Sequence, residues 1–322
     1  MILAGDVGAT KILLEVGEFR SERWQPALAK RYITGDVENF PAVLTSFLGE
    51  WNAKRERDER IRAAAFGVAG PAVGNKVKMT HRPLVVDGDA ISSRFLIPRV
   101  VVVNDLAAAA HGIDWLGPRD VVTIQPGRAS PEGSLVVMGV GTGLGIAYLV
   151  PMGAGYRVIA GEGGHAGFSP ATTQQAELWR AVHAAHGRCS AEDVVSGVGL
   201  THVFSFVRSG RVHALGETED SVSPDGIVRG AVAGDARCEA ALDLFVQCLG
   251  NVAGDHAVTV MARGGVYLTG GVVATLHPRF RGSLFSSAFC AKGPMSSALM
   301  KIPVRAVTSE RVALLGAAKF VV

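Results

Sequence analysis

The chain has 322 residues, 40 of them glycine, well above the roughly 7% of ordinary proteins. With 48% hydrophobic and 19% charged residues it has ample apolar surface, which excludes an intrinsically disordered chain, and the aperiodic glycines with 14 prolines exclude a collagen. A net charge of +3 makes no field that points to nucleic acid.

The first elements form a hairpin-like start: an apolar run at Ile2 to Ala4, a glycine-bearing turn from Gly5 to Thr10, and a strand from Ile12 to Val16. A strand is predicted over Arg31 to Thr34. Phe40, Val43, Leu44, Phe47, Leu48 and Trp51 then follow the stripe of an amphipathic helix, with Asn39 as its cap and Pro41 in its first turn. The mixed-sign run Lys54 to Arg60 reads as the solvated end of that helix. Buried strands follow at Ala63 to Val68 and Arg99 to Val103, the second a run of four valines that suits a strand covered on both faces.

Ser134 to Tyr156 is uncharged and long enough to span a bilayer. Gly139, Gly141, Gly143 and Gly145 break it, so two strands around a glycine turn are predicted instead. This pattern repeats the opening: Val7-Gly8-Ala9-Thr10 before an apolar run matches Val140-Gly141-Thr142-Gly143 before Ile146. A third glycine turn closes the strand candidate that ends at Thr269-Gly270-Gly271. Helices are expected at Gln174 to Ala185, through Leu242 to Val252, and at Val312 to Ala318 after a strand at Val304 to Val307.

Cys189, Cys238, Cys248 and Cys290 form no C-x-x-C pair, which points away from a zinc site or disulfide framework and suits a reducing cytoplasm. The N-terminus is read as lacking a signal peptide, because Asp6 interrupts its apolar stretch. No nucleic-acid or membrane partner is expected.

Glycine turns after strands let backbone N–H groups approach an anion, so three of them suggest a bound nucleotide. No P-loop and no G-x-G-x-x-G occurs. Asp6 in the first turn would repel phosphate unless Mg2+ lies between them; alternatively it hydrogen-bonds its own turn. Asn104-Asp105 stands where open α/β sheets place their ligands, though Asp105 could equally cap the next helix. Glu162 and His165 share a glycine-rich loop and by themselves could be surface groups. Ser190 and Asp193 have the spacing of a capping box, and Glu192 between them could simply favour a helix dipole. His183, His186 and His202 have no ligand-like partners and read as surface or satisfied core residues.

Taken in order, Gly5-Asp6-Val7-Gly8-Ala9-Thr10, Val103-Asn104-Asp105-Leu106, Gly141-Thr142-Gly143-Leu144-Gly145, Glu162-Gly163-Gly164-His165, Ser196 to Leu200 and Thr269-Gly270-Gly271 resemble the bacterial glucokinase family of the hexokinase/actin-like ATPase superfamily, over nearly the full length. The resemblance implies an α/β fold of two ribonuclease-H-like lobes, residues 1–106 with 303–322 and residues 107–302, closing over sugar and ATP with Mg2+. It implies ATP-dependent phosphorylation of glucose at the 6-hydroxyl, with Asp105 as general base. Asn104, Glu162, His165 and Glu192 would hold the sugar; Gly5, Asp6, Val7, Gly8, Ala9, Thr10, Gly141, Thr142 and Gly143 the phosphates; Gly270 and Gly271 the adenosine. It also implies a homodimer. The alternatives on the same fold are a kinase for mannose or an amino sugar and a non-catalytic sugar-binding regulator.

The sequence departs from the family pattern in three places. Ala9 and Lys11 stand where the first turn usually has glycine and asparagine. Met79-Thr80-His81 replaces Met-Thr-Asn, which bears on sugar preference, and Ala166-Gly167-Phe168 replaces Ala-Asp-Phe. The cysteine-rich zinc motif of the related repressor/kinase group does not follow His165.

Overall fold

The computed structural model describes residues 1–21, 23–55, 59–79, 82–153, 155–212 and 222–322. They form two compact units, Met1–Arg119 with Ser309–Val322, and Asp120–Thr308.

In the first unit β1 (Ile2–Val7), β2 (Lys11–Arg20), β3 (Arg23–Ile33), β4 (Ala63–Val68) and the later strand Arg99–Asn104 make one sheet in the order β3-β2-β1-β4 and then Arg99–Asn104. The opening hairpin is tighter than its glycines suggest. β1 runs on to Val7, with Gly5 opposite Leu14 and Asp6 opposite Leu13, so only residues 8–10 are left to turn. Gly5 is therefore a packing glycine: a Cβ there would lie 2.6 Å from the Phe66 ring and 2.8 Å from Leu14. The third strand likewise begins earlier than predicted, and Thr34 opens a short 3-10 turn instead of ending it.

Helix α1 (Phe40–Lys54) forms as its stripe requires: Phe40, Val43, Leu44, Phe47, Leu48 and Trp51 are all buried, and the Asn39 side chain accepts the Ala42 N–H. Lys54 closes it; residues 56–58 of the charged run lie outside the described residues. β4 is buried at all six positions and paired in parallel on both sides.

A small three-stranded sheet, β5 (Ala72–Val73), β6 (Lys76–Lys78) and β7 (Val85–Asp87), precedes α2 (Gly88–Phe95) and β8 (Arg99–Asn104). β8 is the end strand of the main sheet, and its valines alternate: Val100 and Val102 are buried, Val101 and Val103 only partly so. The expectation of a strand covered on both faces is corrected here. Its outer edge is closed by a side chain, because Asn75 Nδ2 donates to the Val100 carbonyl at 2.9 Å while Asn75 Oδ1 accepts the Val102 N–H at 2.8 Å.

α3 (Asp105–Gly112) follows β8 directly and lies against the C-terminal helix Val312–Lys319, backbone to backbone. A Cβ on Gly316 would sit 1.7 Å from the Ala108 carbonyl oxygen, and one on Gly112 would sit 2.1 Å from that of Val312. α3 thus lies whole in the first unit, where a division after residue 106 would cut it. Gly316→Ala is expected to destabilise the protein by about 1–3 kcal/mol, read as a lower urea midpoint, because neither backbone can retreat.

The second unit repeats this plan. Its sheet runs β12 (Gly155–Gly161), β11 (Leu144–Met152), β10 (Leu135–Val140), β13 (Gly265–Thr269), β14 (Val304–Val307), with β9 (Val121–Gln125) added antiparallel at the end. As in the first unit, an antiparallel three-strand ribbon is followed by two parallel strands. The uncharged stretch 134–156 is therefore a hairpin and its return strand. Among the described residues no helix is long and apolar enough to cross a membrane. Helices α4 (Thr173–His186), α5 (Gly197–Ser209), α6 (Pro224–Val232) and α7 (Ala236–Thr259) lie between β12 and β13, and α8 (Gly271–Phe280) and α9 (Ser283–Cys290) precede β14. Phe245, Leu249 and Val252 of α7 anchor the core with Val136 and Met138 of β10.

Candidate active site

In the first unit the candidate residues gather at one end of the parallel strands. Asp6 is on β1, Gly67 on β4 is its register partner, and Val103 on β8 is the partner of Gly67 in turn. Gly67 leaves room for the start of α3: a Cβ there would meet that of Ala108 at 2.8 Å and Asp105 Cα at 3.5 Å.

Asn104, not Asp105, caps α3. Its Oδ1 accepts the N–H groups of Leu106 and Ala107, each at 3.0 Å, and its Nδ2 donates to the Gly70 carbonyl and to Asp105 Oδ1, each at 3.1 Å. Asp105 Oδ1 also accepts the Leu106 N–H at 2.8 Å. One oxygen of this carboxylate is thereby fixed by the neighbouring side chain and the helix start. Asn104 spends its polar atoms on that task.

Asp6 lies in β1, not in the turn, and is partly buried. Burial raises its carboxyl to about 7; the Asp105 charge pushes in the same direction, Lys11 opposes it, and Glu310 adds to the rise. The turn itself is braced by Gly8 N–H to the Lys11 carbonyl at 2.9 Å, Thr34 N–H to the Thr10 carbonyl at 3.1 Å, and Thr34 Oγ1 to the Gly8 carbonyl at 2.8 Å. The Ala9 and Thr10 amides take no hydrogen-bond acceptor among the described residues. Val7 is buried in the core.

In the second unit Glu162, His165 and Glu192 come together. His165 Nε2 stands 3.9 Å from Glu162 Oε2, and its Nδ1 stands 3.9 Å from Glu192 Oε1. These separations are too long for direct hydrogen bonds, so the three groups can serve as acceptors and donors to hydroxyls placed among them. Glu162 and His165 are well exposed, at 74% and 64% of their side chains, while Glu192 is at 31%.

Glu192 has a second duty that its neighbours in sequence do not reveal. Its Oε2 accepts the Leu144 N–H at 2.7 Å, tying it to the tip of the β10–β11 hairpin. A Cβ on Gly143 would come within 2.5 Å of that same oxygen, and one on Gly164 within 1.9 Å of the Leu144 carbonyl oxygen. Glycine at these two positions lets the hairpin tip, the 163–165 turn and the Glu192 segment meet. The Gly141 carbonyl further accepts the Gly197 N–H at 2.7 Å. Glu192→Ala is expected to destabilise the protein by about 1–3 kcal/mol, read as a lower urea midpoint, since it leaves the Leu144 N–H at the hairpin tip without its acceptor.

The Ser190–Asp193 box forms, with Ser190 Oγ donating to Asp193 Oδ2 at 2.7 Å. It closes a turn and not a helix; α5 starts later, with Ser196 accepting the Gly199 N–H. His202 of α5 is buried and its Nδ1 meets the Asp193 carbonyl at 2.9 Å, in keeping with a core histidine that holds this turn.

Gly270 takes φ +104°, and a Cβ there would meet the Val140 carbonyl at 2.4 Å, so only glycine fits between β10 and the start of α8. Gly271 opens α8 onto empty space. Thr80 and His81 lie outside the described residues. Lys11, Arg31 and Glu310 make a charged cluster that the motif reading missed: Lys11 Nζ lies 2.8 Å and an Arg31 guanidinium nitrogen 3.4 Å from Glu310 Oε2. Glu310 comes from the far end of the chain, and no local pattern marks it.

The family model described as glucokinase matches residues 3–322. The chain belongs to the glucokinase family. A glucokinase of Nostoc sp. is 32% identical over 338 residues, covering 99% of this chain and 98% of the relative. Among solved structures, a glucokinase from an Antarctic psychrotroph superimposes with a TM-score of 0.84 at 27% identity, covering 98% of this chain and 97% of that one. A ROK family glucokinase from Streptomyces griseus, solved with glucose and AMPPNP, shares the fold at a TM-score of 0.61 and 19% identity, covering 99% and 98%. This kinship accounts for the α/β fold with its doubled sheet plan, that of the actin-like ATPase superfamily.

Proposed function

We propose that the protein transfers the γ-phosphoryl group of ATP to the 6-hydroxyl of glucose, giving glucose 6-phosphate and ADP, with Asp105 as general base. The observation that carries this reading is the placement of Asp105: a carboxylate at the C-terminal end of β8, held through Oδ1 by Asn104 and the Leu106 N–H, at the same end of the sheet as Asp6 and the braced glycine turn. A sugar hydroxyl is a poor nucleophile, and a carboxylate that takes its proton as it attacks phosphorus in line removes much of that barrier.

Glu162, His165 and Glu192 are assigned to the sugar hydroxyls. Their mixed acceptor and donor character suits a polyol, which needs several fixed partners to sit in one orientation. The Ala9 and Thr10 amides, with the hairpin at Gly141, Thr142 and Gly143, are assigned to phosphate oxygens, where backbone N–H groups stabilise developing charge. The Gly270–Gly271 start of α8 is assigned to the adenosine, since glycine keeps that approach open.

The donor set suits a magnesium ion that arrives with the nucleotide. Among the described residues no group of three metal-binding side chains forms a cage, whereas Asp6 and Asp105 supply carboxylates at one strand end. Bound there, Mg2+ would offset charge on the phosphates, with Asp6 as its protein contact. The four cysteines are free thiols, which suits a reducing cytoplasm.

A coupled assay for hexose-dependent ADP release with Mg2+ and ATP tests the reading. Glucose is expected to give the highest kcat/KM in a panel with mannose and amino sugars. Failure of every hexose to release ADP would overturn the kinase assignment.

A further inference from the structure

Lys11 stands where the family's first turn usually has asparagine, and nothing in the reaction as described uses its ammonium group. It is the residue that closes the turn, through its carbonyl to the Gly8 N–H, and its side chain pairs with Glu310 at 2.8 Å. The pair is accessible, with 25% of the Lys11 side chain and 51% of the Glu310 side chain exposed. Exposed ion pairs of this kind are weak, so a polyanion that reached the turn could take the lysine. Glu310 would not then be left alone, because Arg31 already reaches the same oxygen at 3.4 Å.

The surroundings favour such a shift. The Ala9 and Thr10 amides, with no acceptor among the described residues, offer donors to an anion, yet Asp6 and Asp105 bring negative charge to the same strand ends. A triphosphate arriving here meets two carboxylates, so a protein cation beside the turn would add to the charge that its magnesium ion offsets. Lys11 is the lysine whose charge acts on Asp6.

We propose that Lys11 is a ligand of the nucleotide's phosphate oxygens, held by Glu310 while the nucleotide is absent. The proposal rests on the ATP-dependent reading above and adds a protein cation to it. It has a signature that a structural ion pair lacks: Lys11→Met removes the ligand, whereas Glu310→Gln removes only its competitor. The two substitutions break the same contact and should act in opposite directions.

The experiment is titration calorimetry of Mg2+ and AMPPNP into the wild type, K11M, K11R and E310Q, with steady-state KM values for ATP and glucose and melting temperatures alongside. K11M is expected to weaken AMPPNP binding and raise the KM for ATP by about 10- to 100-fold, leaving the KM for glucose nearly unchanged. K11R should recover part of the loss, and E310Q should tighten AMPPNP about 2- to 5-fold. Weakening in both K11M and E310Q, in step with their melting temperatures, would mean that the pair merely braces the turn and would overturn the proposal. So would wild-type affinity in a folded K11M. If the wild type binds AMPPNP but phosphorylates no hexose, the kinase reading fails while the binding arm still decides the role of Lys11.

Discussion

Asp105→Asn is expected to lower kcat by about 10²- to 10⁴-fold while glucose still binds. The substitution is a sharp test of the reaction because the contacts made by Oδ1 survive it. An asparagine Oδ1 can still accept the Leu106 N–H and the Asn104 Nδ2 donor, so the start of α3 is kept. What disappears is the capacity to take a proton. A second readout separates this from a folding defect. The Asp105 charge is one of the causes that raise the Asp6 carboxyl, so D105N should bring the Asp6 titration down from about 7. Residual activity of D105N within a few-fold of wild type would remove Asp105 from the role of base.

Asp6→Asn should have a paired effect: activity falls by about 10²-fold or more, yet the ligand-free protein becomes more stable at alkaline pH. The sign follows from the direction of the shift. Asp6 titrates near 7 in the folded chain against an ordinary value of 3.8, so the native state holds its proton where the unfolded chain has released it. Below about pH 4 both states are protonated and the carboxyl has no effect on stability. As pH rises from there to about 7 the penalty for ionising Asp6 in place grows, and it is complete above that. Asparagine escapes the penalty, which for a partly buried group amounts to about 1–3 kcal/mol. Urea midpoints of D6N and wild type should therefore coincide near pH 4 and separate by pH 8.5, with D6N the more stable. A D6N protein less stable than wild type at pH 8.5 would show that the carboxylate is not under strain.

Both residues belong to a strand-end arrangement that the sequence displays only in outline. Helix α1 was legible in full, since its apolar stripe, Asn39 cap and Pro41 all act within a few residues of one another. β4 was legible to the residue, because a strand paired and buried on both sides is apolar throughout. The doubled turn pattern at Val7 and Val140 pointed to a repeat, and the two sheets share that plan. These features depend on local periodicity and local hydrogen bonding, which a linear sequence records directly.

What only the tertiary structure decided were the jobs of residues whose partners are remote. Gly5 reads as a turn glycine and proves to be a space left for Phe66 and Leu14. The valines of β8 read as a central strand, but the strand stands at the end of its sheet with Asn75 closing its edge. Glu192 looks like a helix-dipole residue, yet its carboxylate holds the Leu144 amide of a distant hairpin. Glu310 carries no motif at all until folding brings it against Lys11 and Arg31. The chemistry-bearing residue types and their order are properties of the chain itself. Which of them meet, which oxygen is occupied and which carboxyl is pushed to about 7 depend on burial and distance, and those exist only once the sheets have formed.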